Sequence, residues 1–214
     1  MAMDQQVRQA VETVMTHVRR DLDAHLRTLT SDLLRFAQET AERSYRARVE
    51  TLRTIRRIDE AATLSGILDA LAQGAAAETS RGAILLVDGD RLRVWGHFGF
   101  PDAAGPVELS IGQSGVLASA VTLRQTAFVP PALDQPQTTV PEFMRVPAGH
   151  TGVVIPIVVA GEVVAVLYGD VDRLAGQEDG PVWIEDLELL VRHASVRLEN
   201  VTSERTVEVL TRAV

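Results

Sequence analysis

Across residues 1–57 the apolar side chains fall on one helical face. Val7, Val11, Val14, Val18, Leu22, Leu26, Leu29, Leu33 and Phe36 recur at spacings of three and four, averaging close to the repeat of a straight helix. Ala41, Tyr45, Val49, Leu52 and Ile55 continue the stripe more weakly, and Arg48 and Arg56 crowd it, so its register drifts. No glycine precedes Gly66 and no proline precedes Pro101, so the strong helix breakers are missing from this stretch. An unbroken helix of this length measures about 80 Å, against a radius of gyration of about 15 Å for a compact domain made of the rest. That domain cannot cover the stripe. The expected cover is a second copy, another protein, or the helix's own second half folded back through a turn near Thr28–Ser31. The Thr/Ser cluster there has neither a glycine nor a clean capping box, which favours a second copy.

Beyond residue 57 the pattern changes to short elements. Thr63 or Ser65 is placed to cap a helix carrying Leu64, Ile67, Leu68 and Leu71, which is expected to loosen at GAAAETSRG. Asp88-Gly89-Asp90 is a tight-turn signal between a continuous apolar strand, Ala83 to Val87, and an alternating one. In the latter, Leu92, Val94 and Phe98 are expected to oppose Arg91, Arg93, Trp95 and His97. A short strand, VELSI, leads through Gly112–Gly115 into an amphipathic helix, VLASAVTLRQ, with Ser114 as its expected cap, and TAFVP reads as a brief strand. The proline-rich stretch from Pro130 to Gly149 is too long and irregular to be a mere connection, and binding loops sit in such places. VVIPIVVAGEVVAVLYGD, residues 153–170, then reads as two apolar strands around an Ala160-Gly161 turn. From about Val182 a final helix repeats Ile184, Leu187, Val191, Ala194, Leu198 and Val201, a heptad seam expected to pack against a coiled partner.

Charge is divided unevenly. Residues 1–57 hold 11 Arg against 8 acidic residues, and residues 58–214 hold 10 against 21, within a net charge of −8. An acidic C-terminal part repels phosphate backbones, and without a helix-turn-helix signature or a basic–aromatic stripe nucleic acid is not an expected partner. The Arg43–Arg57 concentration reads as a solvated helix face, with partner docking as the alternative. No cysteine is present, which removes disulfides, thiolate metal sites and thiol nucleophiles. The five histidines, at 17, 25, 97, 150 and 193, form no metal-ligand spacing. The N-terminus lacks an apolar signal region and no run is long enough to span a bilayer, so a cytoplasmic location is expected.

The segments LSGILDALAQGAAAET, RGAILLV, RLRVWGHFGF, SIGQSGVLASAV and VVIPIVVAGEVVAVLYGDVD occur in an order that resembles the GAF domain family over about residues 58–202. Ala165 stands where many members carry Gly, a change that keeps a small residue. The resemblance implies an α/β (α+β) fold: a central antiparallel sheet with the first and last helices on one face and a ligand pocket, walled by the long loop, on the other. The expected organisation is a helical or coiled-coil arm at 1–57, the domain at 58–202 and a C-terminal helix extension at 203–214. Apolar side chains on both faces of the two central strands agree with a sheet covered on both sides.

Enzymatic readings fail on motifs. Gly112-Gln113-Ser114-Gly115 is neither a nucleophile elbow nor a P-loop. The family's methionine sulfoxide reductases work through cysteines, as does bilin attachment, and the Asn-Lys, Phe and Asp-Glu pattern of its cyclic-nucleotide binders is not found. Haem binding would require an axial histidine, His97 or His150. The candidate pocket implied by the resemblance comprises Trp95, His97, Phe98 and Tyr168 from strands and Phe143, Met144, Arg145 and His150 from the loop and its exit. Aromatic stacking with one arginine suits an anionic or planar small molecule, and an empty, collapsed pocket is the alternative. No catalytic residue, metal or cofactor is expected. The expected function is a non-enzymatic sensory or regulatory module, homodimeric through its N- and C-terminal helices, with a protein partner for the arm. The alternative is a coiled-coil scaffold in which the domain is a passive dimerisation cap.

Overall fold

The computed structural model describes residues 2–100, 108–113, 115–129, 145–147, 149–172 and 182–212, with arm side chains mainly from His25 onward. Val7, Val11, Val14, Val18 and Leu22, the expected cap Ser114 and most of the Pro130–Gly149 loop therefore lie outside the described side chains or residues. The chain divides into two compact units, Met1–Arg48 and Val49–Val214.

The first unit is helical. Helix α1 (Ala2–Glu60) runs through Thr28–Ser31 without a turn, so the hairpin alternative does not hold. The Thr30 hydroxyl donates to the Leu26 carbonyl at 2.8 Å, satisfying within the helix the side chain that suggested a break. Leu26, Leu29, Leu33 and Phe36 are all exposed, at 52 to 68%.

In the second unit the last turns of α1 are followed by α2 (Leu64–Glu78), β1 (Arg81–Asp88), β2 (Arg91–Phe98) and β3 (Glu108–Ser110). A 3-10 turn (Ile111–Gln113), α3 (Val116–Leu123), β4 (Ala127–Val129), β5 (His150–Val159), β6 (Glu162–Asp172) and α4 (Val182–Arg212) complete it. The strands form one antiparallel sheet in the order β3-β2-β1-β6-β5-β4. Alternation along the central strands feeds two cores. Ile84, Val153, Ile155, Ile157 and Leu167 join α2 and α4 in the first. Leu85, Val154, Val166 and Tyr168 join Leu117 and Ala120 of α3 in the second. Period-two patterning thus explains why both strands of the 153–170 stretch carry apolar side chains on both faces.

Thr63 caps α2, its hydroxyl accepting from the Gly66 amide at 3.1 Å. Three details depart from expectation. α2 continues through Gly74 to Glu78, and the glycine serves a close approach: a Cβ there would stand 2.3 Å from Thr54 Cγ2 and 3.1 Å from Leu190 Cδ1. The N-cap of α3 is Gly115, without a side-chain cap. The α4 seam does not wait for a coiled partner: Ile184, Leu187, Val191, Ala194, Leu198 and Val201 are buried in the chain's own first core. A 3.5-residue repeat reports a buried face, and here α2 and the sheet bury it.

The end of α1 joins the same layer. Thr51, Thr54 and Ile58 are buried, Asp59 lies 3.8 Å from His193, and Arg197 Nε donates to the Ala61 carbonyl at 3.1 Å. These contacts advance in the same sense along both helices, so the last turns of α1 run parallel to α4.

Glu78, half-buried at the C-terminal end of α2, has its carboxyl pushed up to about 7 by burial and then by Asp186 of α4 and Glu50 of α1. The folded value lies above the unfolded one, so the folded state binds the extra proton and stability falls as pH rises from about 4.5 to about 7. Glu78→Gln is expected to flatten that fall and to stabilise the protein at pH 8 by about 1–2 kcal/mol, solvent screening included. Urea titrations at pH 5 and 8 measure both effects.

The hairpin turn at Ala160-Gly161 has both residues in the left-handed region, at φ 50° and 81°, as a two-residue turn between right-twisted strands requires. Glycine takes this conformation freely and alanine does not, so Ala160→Asn is expected to raise stability by about 1 kcal/mol in denaturant titration.

Candidate functional site

The second-core face holds a polar cluster at the ends of β1, β5 and β6. Asp170 is fully buried on β6. It shares a face with Tyr168, two residues earlier on the same strand. Arg81, at the start of β1, is the register partner of Asp170 across the β1–β6 ladder. Its guanidinium reaches the carboxylate through Nη2, 2.6 Å from Oδ2, and through Nε, 3.1 and 3.0 Å from Oδ1 and Oδ2. The Tyr168 hydroxyl donates to Oδ2 at 2.5 Å. His150 Nδ1 lies 2.9 Å from Oδ1, and since an ionised carboxylate only accepts, this contact calls for the Nδ1–H tautomer. Arg81 Nη2 also donates to the Arg145 carbonyl at 3.0 Å, tying the exit of the long loop to the sheet.

An aromatic layer lies on this cluster. Phe100 stacks on Tyr168 with ring centroids 6.3 Å apart, and the Arg81 guanidinium sits 5.0 Å from the Phe100 ring centre. His97 meets the same ring edge-on at 6.0 Å. Burial, reinforced by the neighbouring Asp170 charge, pushes the Tyr168 phenol well above the ordinary tyrosine range, so the phenol serves as a fixed donor rather than as a proton source.

Of the eight residues singled out from the sequence, Tyr168, His150 and His97 converge here, and Arg145 contributes its carbonyl while its side chain is exposed. Trp95 and Phe98 do not converge. Trp95 is the extra residue of a β-bulge opposite Ile84/Leu85 and is 41% exposed. That one-residue insertion reverses the alternation of β2, so Phe98 packs into the first core, opposite Leu92 and Val94 in the second. Phe143 and Met144 lie outside the described residues. Arg81, Asp170 and Phe100 escaped the sequence reading. The usable signal was Asp170 itself, a charged residue within an apolar strand, which calls for a buried partner.

Among the described residues no group of His, Asp and Glu is placed to hold a metal ion. None of the helices, over the same residues, is long and apolar enough to cross a membrane. The groove along Leu26, Arg27, Thr30, Ser31 and Leu34 is the surface of a single helix and encloses nothing.

A six-stranded antiparallel sheet with α2, α4 and the last turns of α1 on one face and α3 on the other defines a GAF-like α+β fold, and solved structures agree. A GAF/HD domain protein from Geobacter sulfurreducens superposes with a TM-score of 0.54 at 14% identity, covering 68% of this chain and 98% of that one. A GAF sensor protein from Burkholderia vietnamiensis gives 0.54 at 17% identity, over 74% and 91%. The free methionine-R-sulfoxide reductase of Neisseria meningitidis, solved with its substrate, gives 0.56 at 19% identity, also over 74% and 91%. Sensors and an enzyme thus share this fold. No family model and no curated protein matches the sequence.

Proposed function

We propose that this chain is a non-enzymatic sensory or regulatory GAF-type module that pairs with a second copy through its terminal helices and relays packing changes along them. One observation carries the reading. Beyond the face of α4 that the domain buries, Val182, Leu189 and Val196 recur every seven residues with 55%, 42% and 55% exposure. Leu52 at the end of α1 is 58% exposed, and the arm repeats Leu26, Leu29, Leu33 and Phe36 at heptad spacing. Apolar residues in such rows favour helix–helix association. A small molecule at the second core would act on α4 through the shared strands β5 and β6, whose opposite faces line the two cores. The absence of cysteine supports the non-enzymatic reading, because it removes the thiol chemistry of the family's reductases.

The scaffold reading, with the domain as a passive cap, is favoured by Tyr168, one of the expected pocket residues, which is fully buried and hydrogen-bonded to the equally buried Asp170. Light scattering and native mass spectrometry of protein from its own host separate the two. A dimer retaining a small molecule supports the sensor, a dimer without one supports the cap, and a monomer at micromolar concentration overturns both.

A further inference from the structure

The donors around Asp170 are those by which proteins recognise a free carboxylate: a guanidinium giving two N–H groups, a phenol and an imidazole, all within 3.1 Å of two oxygens. Here the carboxylate arrives on the chain itself. The geometry points to Asp170 as a tethered ligand: Arg81, His150 and Tyr168 form an oxyanion site that the protein fills from within, a latent site for short carboxylates.

Burial alone does not account for the cluster. Neighbours on the same face of β6, Val163 and Val166, are apolar, and an apolar pair in place of a buried ion pair is often as stable or more so. What the ion pair adds is directional linkage. Arg81 comes from β1, His150 from β5 and Tyr168 from β6, and Arg81 also holds the Arg145 carbonyl, so one carboxylate pins three strands and the end of the long loop. Arg81 and His150 keep only 15% and 16% of their side chains exposed and Asp170 none, so the internal carboxylate occupies the donors that face it. This assignment does not depend on whether two copies pair.

Asp170→Ala and the roomier Asp170→Gly vacate the site. Both are expected to lower Tm, and sodium formate, compared with sodium chloride at equal ionic strength, is expected to restore about 3–6 °C in a saturable manner. The wild type and an Arg81→Gln/Asp170→Ala double variant should give no such difference. Equal effects of formate and chloride on a folded single variant overturn the proposal, as does an equal formate effect on the wild type. If neither variant folds, alkaline titration of the wild type decides. Of its two tyrosines, Tyr45 and Tyr168, only one should ionise before the protein unfolds, and ionisation of both in the folded state overturns the proposal.

Discussion

Arg81→Leu is expected to destabilise the domain by about 3–5 kcal/mol, because it strands a fully buried carboxylate without its cation. Asp170 has no solvent exposure, so water compensates poorly for the lost guanidinium. Tyr168 and His150 each direct a single donor at one oxygen. The cost arises from breaking the pair more than from losing an attraction, and the double variant Arg81→Leu/Asp170→Leu should recover more than half of it. Urea denaturation of the four proteins in this cycle measures the coupling. A single-variant loss below about 1 kcal/mol would mean that the ion pair is screened like a surface one.

Leu189→Asp combined with Val196→Asp is expected to convert the proposed dimer to monomer throughout the micromolar range, while circular dichroism and Tm stay close to wild type. In a two-fold pair these changes place four carboxylates in one seam, where each meets apolar surface and its own symmetry mate. Both positions are exposed in the single chain, so the fold itself has little at stake there. Leu187→Ala on the same helix is the contrast. Leu187 is fully buried in the first core, and its truncation should cost about 2–5 kcal/mol through cavity formation. Should the double Asp variant remain dimeric, the copies meet elsewhere. Sedimentation or light scattering against concentration provides the readout, and the cysteine-free chain lets a single Val196→Cys report proximity by disulfide formation.

The order of elements was legible because alternation and turn chemistry are local. Asp88-Gly89-Asp90 and Ala160-Gly161 each close a hairpin, and the mixed faces of residues 153–170 forecast a sheet covered on both sides. The failures share a different cause. The heptad in α4 showed that one face is buried but not what buries it, since the domain's own sheet and a neighbouring helix impose the same repeat. The bulge at Trp95 moved Phe98 to the other core, and a one-residue insertion leaves no mark on composition. Tyr168 and His150 were visible as pocket-type residues. Their common partner was hidden, because Arg81 and Asp170, 89 residues apart, meet only through the β1–β6 adjacency of strands distant in sequence.

The last turns of α1 and the body of α4 lie side by side with the same polarity, and the described side chains of α4 from Thr202 to Val209 are exposed. Under the proposed relay, a displacement of the last turns of α1 along their axis would reach α4 with its sign unchanged, and a hinge that inverted it would find no place between the two.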